Sequence, residues 1–410
     1  MTDRLYYTDS FLHQFEAQVL YAASADGHIA VALDRSAFYP TSGGQLFDTG
    51  WLEIVAAASP IARLRVNDVA EDEKTGDVLH MVEGDPAVVQ IGMQVRGVID
   101  AERRRDHMQQ HSGQHVLSAA FEKLSSFSTL SFHMGDESCT IDLGADSVSA
   151  KQLRAAEQLA NEVIAEDRAV EIRFATPNEA RSMGVRKIPN AGRDKLRLIA
   201  IRDFDLNACG GTHVSSTGQI GVILLRKTEK VRQGVRVEFV CGLRAVATAR
   251  RDFETLTDAA ALFSTHIWDV PEQIRNWQDE IKLAQKAQHR LLEEVAELHA
   301  ERMLQTADQR GSATLVVQYF AERDLSFIKM LAQKLTKKER TVALLACGGA
   351  QPSLVFAQAP GLANDMGSLM KQMVQALGTR GGGNRDMAQG AAPNGERAER
   401  AIREAARAIG

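Results

Sequence analysis

Two short segments, far apart in the chain, carry side chains able to hold a metal ion. His111-Ser-Gly-Gln-His115 and Cys209-Gly-Gly-Thr-His213 each place two metal-competent groups four positions apart. On a helix that spacing puts both side chains on one face, neighbouring across one turn. Neutral imidazole and thiolate are good zinc ligands, and two such pairs offer three or four N/S donors to one Zn2+. A lone His-x3-His is weak evidence, because surface and core histidines often share that spacing. The second, Cys-x3-His pair makes coincidence the poorer account. Gly210 and Gly211 let the backbone turn between Cys209 and His213 without side-chain obstruction. His13, His28, His80 and His107 have no such pairing and read as structural or surface residues.

The elements that must position these groups follow from periodicity. Residues 1–100 alternate apolar and polar in short runs such as His28-Ile-Ala-Val-Ala-Leu33 and Trp51-Leu-Glu-Ile-Val55, separated by turns at Ser42-Gly43-Gly44 and Glu83-Gly84-Asp85. They predict a small antiparallel β-barrel. In Met93-Gln-Val-Arg-Gly-Val-Ile99 the alternation slips at Gly97. From Asp106 the period becomes helical, for about four turns through His111, His115 and Leu124. A strand is expected at 138–143, a second amphipathic helix at 150–166, and strands at 170–174, 197–203, 220–225 and 235–240. Residues 101–250 thus form an α+β domain bearing the metal pairs.

A helical arm is expected over 251–308. Within it 271–305 reads as one long helix, with Pro271 in its first turn. Heptad spacing aligns Ile274, Ile281, Gln288 and Val295 at one position and Trp277, Ala284, Leu291 and Leu298 at the other. This suits a coiled-coil arm or helical hairpin, folded back or paired with a second chain as a homodimer, or an ordinary amphipathic helix on a domain surface. The last domain, 309–410, predicts a small α/β fold, with strands at 313–318, 341–346 and 353–357 and helices at 324–337, 363–377 and 395–408. The segment Gly378 to Asn384 reads as a glycine-rich loop.

Composition sets the frame. A chain of 410 residues with 44% apolar and 25% charged content is in the soluble range and too long for one core. No apolar run approaches membrane-spanning length, and the N-terminal residues lack a basic start followed by an apolar core. Four widely spaced cysteines suit a reducing, cytoplasmic setting better than a disulfide framework. The net charge of -5 decides nothing about nucleic acid, but two basic clusters bracket the second metal pair. One holds Arg181, Arg186, Lys187, Arg193, Lys195, Arg197 and Arg202; the other holds Arg226, Lys227, Lys230, Arg232 and Arg236. Without further context a solvated surface face accounts for them.

Phe38-Tyr-Pro-Thr-Ser-Gly-Gly-Gln45, His111-x3-His115, Ser131-Phe-His-Met-Gly135 with Thr140-Ile-Asp-Leu143, and Cys209-Gly-Gly-Thr-His-Val214 occur in one order. In combination they resemble the editing half of alanyl-tRNA synthetases, and most closely the long free-standing alanyl-tRNA editing proteins of the AlaX type. The editing domain of threonyl-tRNA synthetase shares the two metal pairs. The tail resembles the DHH-associated C-terminal domain of the same proteins. About 37 residues precede the Phe-Tyr-Pro-Thr motif, too few for an activation domain. The resemblance therefore implies editing in trans without aminoacylation.

The implied reaction is hydrolysis of the 3′-terminal ester of Ser-tRNA(Ala), with Gly-tRNA(Ala) as a second substrate. A pocket built for alanine rejects an added hydroxyl by only roughly 100-fold, so a second, hydroxyl-binding site is needed. Thr129 and Ser131 are the candidates for reading the serine hydroxyl, with His133 near the site. Gln45 is the candidate for the terminal adenosine or the reacting ester, unless its loop is only a β-turn. Zinc-bound or zinc-oriented water would attack, yet four protein ligands would nominally close the coordination sphere and leave zinc a structural anchor. A zinc-bound thiolate explains Cys209 better than a nucleophile does. Arg186, Lys187 and Arg193 are expected to meet the phosphates of the CCA end. Arg380 with Gly381, Gly382 and Gly383 would meet the tRNA body, or form a structural turn. The rivals are a non-catalytic tRNA-binding module with structural zinc and a metallohydrolase of small esters.

Overall fold

A computed structural model describes every residue except 26–27, 57–58, 84–87, 186–194 and 410, and gives only the backbone of 24–25, 28, 56 and 59–61. Arg186, Lys187 and Arg193 lie outside the described residues. The chain divides into two units, Met1–Asp258 and Ala259–Gly410.

The first unit opens with β1 (Asp3–Arg4), which pairs in parallel with β4 (Arg35–Ser36). Six longer strands close into the expected barrel: β2 (Gln14–Ala25), β3 (His28–Leu33), β5 (Gly50–Ala56), β6 (Ser59–Glu71), β7 (Val78–Glu83) and β8 (Gln94–Ile99). Their order is β2-β3-β7-β6-β5-β8, so none is left as an open edge. Phe15, Val31, Leu33, Leu52, Val66 and Val95 fill the interior. The alternation in β8 does not slip at Gly97, as the sequence suggested. Gly97 is a buried, inward position, and a Cβ there would come within 2.2 Å of the Phe15 ring. The missing side chain is the space Phe15 occupies.

From β8 the chain passes directly into α1 (Ala101–Ser125). Asp100 caps it, accepting hydrogen bonds from the amides of Glu102 and Arg103. The helix begins before Asp106 and is longer than expected, because its first turn carries charges that mask an apolar period. One of them, Arg104, is fully buried. Its guanidinium pairs with buried Asp48 and donates to the carbonyls of Ser10 (2.8 Å) and Ala37 (2.6 Å). The start of α1 is thereby locked to the barrel.

A four-stranded sheet, ordered β14 (Ile223–Val231), β15 (Gly234–Cys241), β10 (Cys139–Leu143), β9 (Thr129–Met134), packs with α1 and α2 (Ala150–Ala165) around Val116, Phe121, Ile141, Val163, Val237 and Phe239. A three-stranded sheet, β11 (Val170–Ala175), β12 (Leu196–Ile201) and β13 (Asp205–Ala208), carries α3 (Pro177–Ser182) between its first two strands. Two expectations change. The strand foreseen at 220–225 is a 3-10 turn at Thr217–Ile220 followed by β14, and β13 was not foreseen. The unit ends within α4 (Gly242–Leu262), whose start precedes the expected boundary of the helical arm at 251.

The second unit holds α5 (Val270–Thr306) and a six-stranded sheet ordered β16 (Asp308–Arg310), β17 (Ala313–Phe320), β18 (Thr341–Cys347), β19 (Ser353–Gln358), β21 (Met387–Ala391), β20 (Gly381–Gly383). Strands β18 and β19 are buried throughout. Helices α6 (Leu325–Leu335), α7 (Met366–Leu377) and α8 (Gly395–Arg407) complete two apolar clusters on the sheet. The segment read as a loop contains edge strand β20. Gly381 and Gly383 answer to its pairing, since a Cβ on either would lie 2.6 or 2.3 Å from β21 backbone, whereas Gly382 faces open space. The C-terminal half of α5 packs through Ala296 and Ala300 on α6. Ile274, Trp277 and Ile281 in its N-terminal half are exposed, as are Leu291 and Leu298 farther along.

Candidate metal centre

Helix α1 presents His111 and His115 on one buried face, while β13 runs straight into Cys209 and the following turn delivers His213. The structure brings all four together. The Cys209 Sγ lies 3.3 Å from Nε2 of His111 and 3.3 Å from Nε2 of His213, and the four donor atoms all fall within 4.8 Å of one another. A tetrahedral zinc with bonds of about 2.0–2.3 Å needs donors about 3.3–3.8 Å apart. The donor set and its spacing therefore fit a zinc-sized ion.

His111 and His213 are each held by a partner through Nδ1, and His115 turns its Nδ1 toward a buried carboxylate. His111 Nδ1 is 2.6 Å from Gln45 Oε1, and His213 Nδ1 is 3.1 Å from Ser112 Oγ. His115 Nδ1 is 3.6 Å from a carboxylate oxygen of Asp205, whose side chain is 2% exposed. These contacts leave Nε2 of His111 and of His213 toward Cys209, the arrangement by which outer residues orient metal-binding imidazoles. Gln45 is fully buried, and its carboxamide also accepts from the Thr212 amide (3.1 Å) and donates to the Thr212 hydroxyl (2.8 Å). In this structure its side chain braces His111 and Thr212.

Close backbone approach makes this possible. A Cβ on Gly211 would fall 2.2 Å from the His111 ring, and one on Gly44 (φ +84°) would fall 2.3 Å from the Phe132 carbonyl oxygen. The Gly44 carbonyl accepts from the Met134 amide at 2.9 Å, docking the barrel loop onto β9. Arg197, counted in the basic cluster, is buried instead. Its Nη1 donates to the carbonyls of Cys209 (2.7 Å) and Gly211 (2.9 Å), and its Nε to that of Tyr7 (2.8 Å). It clamps the Cys-Gly-Gly turn.

Electrostatics agree with a thiolate ligand. Burial alone pushes the Cys209 thiol up, but His111 and His213 beside it outweigh burial and hold it well below its usual range. Burial also presses His213 down to about 3, keeping it a neutral donor. His115 moves the other way: burial lowers it, and Asp205 and Cys209 together raise it to about 10. Metal binding would displace the His115 proton, so affinity falls as pH falls.

A pocket of about 270 Å³ opens beside His115, lined also by Gln114, Ser118, Thr129, Ser131 and Asn207. Thr129 and Ser131 share this lining with His115. The Thr129 hydroxyl donates to Ser118 Oγ (2.7 Å), and Ser131 donates to Asp142 (2.7 Å). Arg236 grips the same carboxylate at 2.7 and 3.0 Å and, as its main charge partner, lowers its pKa. His133, two positions further along β9, is exposed and does not line this pocket. Ser118 was missed, although it follows His115 by three residues and so shares its helix face. Asp205 left no local signal. Elsewhere Arg226 pairs with Asp252, and Arg380 is exposed beside β20.

Comparison with known proteins follows this geometry. Residues 196–237, which include Cys209 and His213, match the family described as threonyl and alanyl tRNA synthetase second additional domain. Residues 3–103 match tRNA synthetases class II (A). The chain is 32% identical to the alanine–tRNA ligase of Pyrococcus abyssi over 98% of its own length and 43% of that protein. It is likewise 32% identical to the alanine–tRNA ligase of Thermococcus kodakarensis, covering 100% of this chain and 44% of the ligase. The chain therefore spans less than half the length of these ligases. The alanyl-tRNA editing protein AlaX-L of Pyrococcus horikoshii is 28% identical over 95% of this chain and 94% of its own length. Along nearly its whole length the chain is thus similar to the alanyl-tRNA editing protein AlaX-L and to the corresponding segment of the alanine–tRNA ligases.

Proposed function

We propose that this protein is a zinc-dependent deacylase that removes seryl, and also glycyl, groups from alanine tRNA in trans and does not aminoacylate. The observation that carries the reading is the placement of the His111–His115–Cys209–His213 cluster against a small hydroxyl-lined pocket. Similarity to AlaX-L along nearly the whole of both chains supports it.

The chain's own residues divide the work. His111, His115, Cys209 and His213 would hold the ion, while Gln45, Asp205 and Ser112 fix ring orientation. When bound, zinc supplies a Lewis acid and a route to an activated water. Thr129 donates to Ser118 and Ser131 to Asp142, and their hydroxyls line the pocket where a seryl hydroxyl or ammonium would enter. An alanyl group lacks that hydroxyl and would leave a buried acceptor unpaired, at a cost of about 1–3 kcal/mol. In the second unit, exposed Arg380 and the open backbone at Gly382 would meet phosphates of the tRNA body.

The test is deacylation of Ser-, Gly- and Ala-tRNA(Ala) by purified, zinc-loaded protein. Seryl ester should be released about 5- to 150-fold faster than alanyl ester, the ratio one unsatisfied buried group allows. Release no faster than in buffer would sink the reading in favour of a tRNA-binding module. Equal cleavage of a free seryl ester would favour a small-ester hydrolase.

A further inference from the structure

Hydrogen bonds in the pocket beside His115 leave one hydroxyl proton over. A hydroxyl carries one proton and two lone pairs. Four of the described lining residues are hydroxyl-bearing: Ser118, Ser128, Thr129 and Ser131. Thr129 donates its proton to Ser118 Oγ at 2.7 Å, and Ser131 donates its own to Asp142 at 2.7 Å. Ser128 is exposed. Ser118, half-buried on α1, accepts twice, from Thr129 and from Nε2 of Gln114 at 2.8 Å. Both its lone pairs are then filled, and the one direction left about its oxygen belongs to its own O–H.

A hydroxyl inside a helix can place that proton on the carbonyl four residues back. Thr255 and Thr257 do so in α4, donating to the carbonyls of Arg251 and Phe253, each at 2.8 Å. Ser118 does not: its oxygen is turned to Thr129 on β9, and among the described residues its proton meets no acceptor. The other donors of the lining are less one-sided. Gln114 and Asn207 each have an amide N–H committed, to Ser118 and to Asp205 (2.7 Å). A carboxamide carries two N–H groups and an acceptor oxygen, so either residue can still meet a donor or an acceptor. Ser118 can only donate.

A one-way donor sorts aminoacyl esters. Seryl, glycyl and alanyl groups all carry an α-ammonium, which itself only donates and cannot take the Ser118 proton. The seryl group alone of the three adds a side-chain oxygen with lone pairs. We propose that Ser118 is a specificity-determining residue that donates its O–H to the seryl hydroxyl oxygen, and that Gln114 is a positioning residue that holds Ser118 in this state by filling its second lone pair. This rests on the reading of the centre as an aminoacyl-tRNA deacylase. The ester carbonyl oxygen is common to all three groups, so a bond from Ser118 to it would serve every substrate alike.

The experiment compares deacylation of Ser-tRNA(Ala) and Gly-tRNA(Ala) by zinc-loaded variants of the full chain, since the glycyl ester has no side chain to read. Ser118→Ala should lower kcat/KM for the seryl ester by about 5- to 150-fold, the factor for one buried polar group left unpaired, with glycyl release and zinc content unchanged. Ser118→Thr keeps the hydroxyl and should keep the wild-type ratio of seryl to glycyl rates. Gln114→Glu exchanges the N–H donor for a carboxylate acceptor, which draws the Ser118 proton away from the pocket. The ratio should then fall although Ser118 is intact. Equal loss on both esters in Ser118→Ala, the mark of a structural role or of a bond to the ester carbonyl, overturns the assignment, and so does an unchanged ratio. An unchanged ratio in Gln114→Glu overturns the part given to Gln114. All these outcomes leave the deacylase standing, whereas wild-type protein that releases no ester faster than buffer removes the deacylase itself.

Discussion

Asp205 reaches His115 from a strand that the sequence did not reveal, and its 2% exposure makes it a buried carboxylate facing a ring nitrogen. Its role in fixing that ring leads to a measurable expectation. Asp205→Asn should weaken zinc by about 10- to 100-fold, the usual effect of removing such a brace. Competition with a chelator measures it; unchanged affinity would show that packing alone orients His115. A second residue-scale effect lies in the barrel. Buried His80 donates from Nδ1 to the Val31 carbonyl at 2.9 Å and accepts at Nε2 from the Ser36 hydroxyl at 2.7 Å, a neutral imidazole with both nitrogens engaged. Burial lowers it from 6.5 to about 4. The folded state thus resists a proton that the unfolded chain accepts. Its contribution is complete above pH 6.5, shrinks as pH falls toward 4, and amounts to about 3 kcal/mol at about 1.4 kcal/mol per pH unit. His107, also lowered to about 4 by burial, adds to the same slope. Urea unfolding of the metal-free protein from pH 7 to pH 4 should show the decline; a His80 imidazole resonance titrating near 6.5 in the folded protein would contradict it.

At the scale of elements, β8 shows how a residue can be legible and misread. Gly97 broke the alternation in sequence, yet its place is inward and filled by Phe15. Gly97→Ala should destabilise the barrel by about 1–3 kcal/mol through overpacking, and Phe15→Leu should recover part of the loss. Thermal unfolding of the single and double variants checks it; additive effects would mean that the two sites do not share space. The metal pairs could be read because their spacing is covalent: four positions on a helix, or across a glycine turn, converge whatever surrounds them. Thr129 and Ser131 alternate along β9, a strand the sequence did not reveal. Asp205 was not read at all, nor were the partners of Gln45, since what they touch depends on how β13 and the barrel loop cross α1. The first turn of α1 was hidden by Arg104, whose burial needs Asp48 from 56 positions away. Arg197 was counted with the surface cations for the same reason: its partners are carbonyls that only the folded turn presents.

For the molecule as a whole, the exposed half of α5 sets the question of assembly. Ile274, Trp277, Ile281 and Leu291 follow heptad spacing and are exposed in the isolated chain. A homodimer seam along 271–305 would cover them. Ile281→Glu combined with Leu291→Glu should then shift the sedimentation mass from dimer to monomer while leaving zinc content unchanged. A wild-type monomer at all concentrations would dismiss the seam. No described helix is long and apolar enough to cross a membrane.

The spacing of the donors along the chain carries a last consequence, for synthesis. Cys209 and His111 are 98 positions apart, and the Thr212 that braces Gln45 is 167 positions from it. A nascent chain can display His111 and His115 long before the other two donors exist. Contacts of such long range form slowly, and unfolded chains rarely hold a preformed site. An ion held by all four donors would therefore be acquired late, only after both halves of the site have been made and brought together.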